Sequence, residues 1–93
     1  MLSNYQEKLL ANNVGKTFEF HLPIYDCEHI GDIHHEENRC EHFCKVYGGK
    51  VCGHYWDGSD CGEAYIICRF PYDMVREVME TEFFNMAPFP CGD

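Results

Sequence analysis

Cysteine and histidine carry most of the reactive chemistry in this chain. There are seven cysteines (Cys27, Cys40, Cys44, Cys52, Cys61, Cys68, Cys91), and five of the six histidines (His29, His34, His35, His42, His54) lie between positions 29 and 54. Three Cys-x-His pairs recur: Cys27-Glu-His29, Cys40-Glu-His42 and Cys52-Gly-His54. Thiolate sulfur and imidazole nitrogen are donors that zinc gathers, about four at a time, into a tetrahedron. Cys40 and Cys44 stand at i and i+4, so on a helix they face the same way. Cys27 and His29 would complete a four-ligand Zn2+ set by pinning the preceding loop to that helix. Cys52, His54 and Cys61 form a reserve set. Structural zinc contributes on the order of 10 kcal/mol to folding, a useful supplement to a thin core. Cys68, inside the apolar run Tyr65-Ile-Ile-Cys68-Arg-Phe70, reads instead as a small buried hydrophobe. Cys91 reads as incidental and His21 as a surface histidine.

Catalytic patterns are weaker. There is no His-Glu-x-x-His, and His34-His35-Glu36 lacks the downstream Pro-Cys-x-x-Cys of a zinc deaminase. Cys52 beside His54 is a formal thiol–imidazole pair that chance neighbours explain equally well. Gly48-Gly49-Lys50 lacks the spacing of a phosphate loop, and Asp57-Gly-Ser-Asp60 lacks the alternating ligands of a calcium loop. The expectation is a protein that is not an enzyme.

These side chains need elements to position them. Ser3 is a suitable cap for a helix over residues 4–13, stopped by Gly15. Residues 16–24 alternate, with Phe18, Phe20 and Leu22 on one face and Thr17, Glu19 and His21 on the other, which predicts a half-buried strand. Residues 25–37 show no period and read as a functional or tied-down loop. Cys40, Phe43, Cys44 and Tyr47 then follow helical spacing up to Gly48-Gly49, and a helix over 38–47 is favoured above a hairpin turning at the two glycines. Strands are predicted over 51–56 and 64–70. A last helix over 74–85 is capped by Asp73 and packs Val75, Val78, Met79 and Phe83 inward. The sum is one α+β domain over residues 1–93: a small antiparallel sheet of three to four strands, with two or three packed helices, stabilised by metal.

Composition sets the outer bounds. Ninety-three residues suit a single domain, and 45% hydrophobic with 15% aromatic residues excludes a disordered chain. A formal net charge of −9 disfavours direct binding of nucleic acid or of an anionic membrane. No stretch nears the ~18 apolar residues of a membrane span, and none has signal-peptide character. The expected location is the cytoplasm, where thiols stay reduced, so the cysteines read as metal-binding ahead of disulfides. Carboxylates cluster at Asp26–Glu41, at Asp57, Asp60 and Glu63, and along Asp73–Glu82. Glu36, Glu37, Asp57, Asp60, Glu77 and Glu80 are the candidate partner-binding residues, with Tyr55, Trp56 and Phe89 as aromatic anchors.

A short, acidic chain, expected to carry no leader, with pairs such as Cys40-Glu-His-Phe-Cys44 and Cys52-Gly-His54 resembles the small phage-encoded anti-defence proteins. In size and charge it is most similar to anti-CRISPR inhibitors of type II effector nucleases. The resemblance implies a zinc-stabilised inhibitor in the host cytoplasm. It would bind a basic, nucleic-acid-handling protein and block loading of guide or target. Two alternatives stand beside it: a zinc-binding module of a larger assembly, and a small metal- or thiol-dependent enzyme.

Overall fold

The computed structural model of the chain describes residues 2–25, 27, 29–58, 63–84 and 86–91. Expectations that fall on Asp26, Glu28, Asp60, Cys61 and Asn85 lie outside the described residues. Three helices and four strands follow in the order α1 (Asn4–Ala11), β1 (Phe18–Pro23), α2 (Ile30–Tyr47), β2 (Lys50–Trp56), β3 (Ala64–Phe70), α3 (Tyr72–Thr81) and β4 (Phe89–Pro90). The strands form one antiparallel sheet in the order β2-β3-β1-β4. After α1 this is the split β-α-β-β-α-β arrangement. The α+β class expected from the sequence is therefore the observed one.

Burial follows the strand pleat. Phe18, Phe20 and Leu22 of β1 and Ala64, Ile66, Cys68 and Phe70 of β3 are buried on one face. α2 lies on that face across β2 and β3, and α3 runs beside α2. α1 is tied to α3 by the Tyr72 hydroxyl donating to the Leu10 carbonyl at 3.0 Å and by a two-pronged Arg76–Glu7 pair. Phe20, Phe70 and Phe84 meet at ring separations of 5.0–5.9 Å and fill the centre of the core.

Local chemistry sets the element ends. Ser3 and Gln6 form a reciprocal capping box at the start of α1. The N-terminus of α2 is closed by Asp32, whose carboxylate accepts the His29 N–H at 3.2 Å and also suits the positive end of the helix. Helix α2 thus starts at Ile30, and most of the loop expected over 25–37 is its first two turns. The hairpin alternative for 38–47 is overturned with it. α3 starts at Tyr72, earlier than expected, because the extended Pro71 supplies the cap and Asp73 sits inside the first turn. It ends at Thr81 because Glu82 adopts φ 58 and reverses the chain. That left-handed residue returns Phe84 to the core and stacks Phe83 on Phe43 at 4.1 Å.

Gly49 shows how tightly α2 is joined to β2. A Cβ there would lie 2.7 Å from the Arg69 carbonyl and collide with the Phe70 ring, whereas Gly31 opens onto free space. Gly49→Ala is expected to destabilise the fold by about 1–3 kcal/mol through overpacking. Gly31→Ala should leave stability equal or slightly raised, since Gly is the poorer helix former. Chemical denaturation of the two variants checks the contrast.

Candidate functional site

The proposed zinc ligands fall into three separate places. Cys27 is buried ahead of α2, with its thiol 3.7 Å from the His29 carbonyl, and His29 is exposed at the cap. Burial and then the Asp32 carboxylate push the Cys27 thiol above its ordinary pKa. Cys40 and Cys44 lie further along α2. At 1.5 Å of rise per residue, Cys40 is about 15 Å along the axis from the helix start, out of reach of any shared ion. The set Cys27, His29, Cys40 and Cys44 is therefore not brought together.

Cys52 and His54 are separated from one another as well. The pairing of β2 with β3 slips between Val51 and Gly53, and the bulge takes Cys52 out of the strand alternation, leaving it exposed. His54 instead reaches α2, where its Nδ1 lies 3.2 Å from Glu37 Oε2; the other Glu37 oxygen is 3.1 Å from His34 Nδ1. No group of three or more His, Cys, Asp or Glu side chains among the described residues is placed to hold a metal ion. The described donors do not fit a zinc tetrahedron.

One thiol cluster does form. Cys40 and Cys44 project from successive turns of α2 toward Cys68 on β3, and all three are at most 2% exposed. The Cys68 thiol lies close to both neighbours. Those two contacts, with burial, push its pKa far up. The same contact holds the Cys44 thiol below its ordinary value, against burial and the Glu41 carboxylate. A hollow of about 270 Å³ lined by Glu41, Cys44, Lys45, Gly49, Lys50 and Val51 leads from the surface to Cys44. The sequence reading set Cys68 aside as a buried hydrophobe. Buried it is, yet it is the centre of the cluster, because only the pairing of β3 beneath α2 puts it opposite Cys40 and Cys44.

Charge is divided between the two sides of the sheet. Helices α2 and α3 carry Asp32, Glu36, Glu37 and Glu41 on α2, with Asp73, Glu77, Glu80 and Glu82 on or capping α3, against Arg39, Lys45 and Arg76. Among the predicted partner-binding acids, Glu36 pairs with Arg39 at 2.9 Å, and Glu37 holds the two histidines. Arg39 also lies over the Phe83 ring at 4.9 Å. Glu77 and Glu80 are exposed on α3, and Asp57 is exposed after β2.

The other sheet face is half-exposed and aromatic. Tyr55, Tyr65, His21 and Phe89 run across all four strands, with Tyr55 stacked on Tyr65 at 5.3 Å and His21 on Tyr65 at 4.4 Å. His21 is therefore a half-buried member of a ring row, not the surface histidine expected. Tyr55 and Phe89 remain exposed as expected of anchors, whereas Trp56 is half-buried, paired with Ala64, and its indole Nε1 is buried with no hydrogen-bond partner among the described residues. Arg69 Nε and Nη2 both donate to Glu19 Oε1 at 3.2 Å, and Glu19 Oε2 is 2.7 Å from His21 Nε2.

No protein-family model, curated protein or solved structure matches the chain. No described helix is long and apolar enough to cross a membrane.

Burial pushes the Glu19 carboxyl up, but the hydrogen bonds from His21 and Arg69 outweigh it, and the pKa is lowered. A depressed carboxylate stabilises the fold above its unfolded pKa and loses that contribution as pH falls through the folded one. Glu19→Gln is expected to cost no more than about 1 kcal/mol at pH 7, with the gap to the unchanged chain closing below about pH 4. Urea midpoints measured across that range check it.

Proposed function

We propose that the protein works by binding: its acidic helical layer docks on the basic, nucleic-acid-handling surface of another protein and excludes nucleic acid from it, with no chemistry of its own on the partner. The observation that carries this reading is the one-sided charge, eight carboxylates against three cationic side chains on α2 and α3. Carboxylates on a rigid helical layer imitate a run of phosphates in charge, and such complementarity speeds encounter and holds register. Helix stability does not account for Glu80 and Glu82, because carboxylates at the C-terminal end of α3 oppose the helix dipole. The resemblance noted above names the first partner to try, a type II CRISPR effector nuclease.

The half-exposed aromatic face offers a second contact surface. Its rings stack on one another across the strands, so few ring faces are free to receive bases, and a protein partner suits it better than a nucleic acid strand.

The test pairs two variants against the effector nuclease, read by binding kinetics and by cleavage of target DNA. Glu77→Lys/Glu80→Lys is expected to slow association at least tenfold and to relieve inhibition, with the unchanged chain associating more slowly as salt rises. Tyr55→Ala should change little. Loss of binding with Tyr55→Ala alone would transfer the contact to the sheet face. Association indifferent to salt and to charge reversal would overturn the electrostatic reading.

A further inference from the structure

We infer that Cys44 is a peroxide-reactive thiol and that Cys68 resolves it, so that oxidation closes a disulfide between α2 and β3. The inference rests on the thiol cluster and its hollow, independently of any docking partner. Cys44 is the member of the cluster that lines the hollow, together with Lys45 and Lys50, while Cys68 on β3 lies close to it. Contact with Cys68 favours the Cys44 thiolate, against burial and the Glu41 carboxylate, and Lys45 and Lys50 line the same hollow, where they suit the hydroxide that leaves.

The steps balance. The Cys44 thiolate attacks one oxygen of hydrogen peroxide; the O–O bond breaks, giving Cys44 sulfenic acid and hydroxide, which takes up the proton the thiol had lost. The Cys68 sulfur then attacks the Cys44 sulfur, the S–O bond breaks, and the hydroxyl leaves as water with the Cys68 proton. Two thiols lose two electrons, and one peroxide becomes two waters. The small size of the oxidant matters. With Cys44 only 2% exposed, a bulky disulfide such as oxidised glutathione cannot align its S–S bond with the attacking sulfur, whereas a peroxide fits the hollow.

Crosslink geometry limits the outcome. Cys40 and Cys44 both belong to α2, and a bond between them would constrain nothing beyond one helical turn. Cys44–Cys68 pins the helix to the centre of the sheet.

Stoichiometric hydrogen peroxide on the reduced full-length chain, followed by non-reducing peptide mapping, tests the assignment. The first disulfide should join Cys44 to Cys68 within a monomer. Oxidised glutathione should react at least tenfold more slowly at Cys44. Cys68→Ala should leave a Cys44 sulfenic acid trapped by a cyclic 1,3-diketone, and Cys44→Ser should slow formation of any bond to Cys68 at least tenfold. The mapping needs no variant, so a misfolded substitution does not spoil the test. Oxidation confined to the exposed Cys52 and to Cys91, or a first intramolecular disulfide that lacks Cys44, would overturn the inference. So would a metal ion found on the three sulfurs of the purified protein.

Discussion

The close seating of α2 on β3 is the constraint from which the rest of the molecule follows. Cys40 and Cys44 are small enough to let the helix settle directly over Cys68, and the large rings of Phe20, Phe70 and Phe84 close around that contact. A thiol here acts as a compact apolar filler with a weak hydrogen bond to spare. The bare backbone of Gly49 is the second half of the same constraint, because the chain leaves α2 against the Phe70 ring and the Arg69 carbonyl. Once α2 is fixed, α3 fits alongside it, and the reversal at Glu82 brings Phe83 onto Phe43 and Phe84 into the core.

That seating also divides the surface. Both long helices lie on one side of the sheet and turn their acidic sides outward, while the described strands carry one carboxylate, Glu19, held by His21 and Arg69. A chain of 93 residues with a net charge of −9 would otherwise repel itself throughout. Here part of the charge is absorbed by internal pairs, and eight carboxylates are gathered on α2 and α3. The docking reading grows from that asymmetry rather than from net charge alone, and the thiol chemistry belongs to the interior seam beneath it.

The strands were legible because their alternation is simple: Phe18, Phe20 and Leu22 could be assigned inward from residue types alone, and β3 has the bounds its apolar run suggests. The first two turns of α2 were not. Ile33 is the only buried residue there, and the next inward positions hold Glu36 and Glu37, whose carboxylates are held by Arg39, His34 and His54. Polar residues in apolar places erase the helical period. The cap was also hard to read, since it depends on Asp32 reaching back to a His29 backbone group. The donors Cys27, His29, Cys40 and Cys44 are not brought together for a related reason: their spacing does not show that the first turns of α2 stand between His29 and Cys40, or that a bulge turns Cys52 away from His54. Cys68 gave no local signal, because its partners are supplied by strand pairing.

Amide hydrogen exchange under native conditions, with and without a chelator, tests most directly whether this seam holds the molecule together by side-chain packing. The account predicts that the amides around Cys40 to Cys44 and those of β3 are the slowest to exchange, open together, and are unmoved by chelation. Early exchange of α2 while the sheet stays protected would contradict it, as would collapse of both on removal of metal.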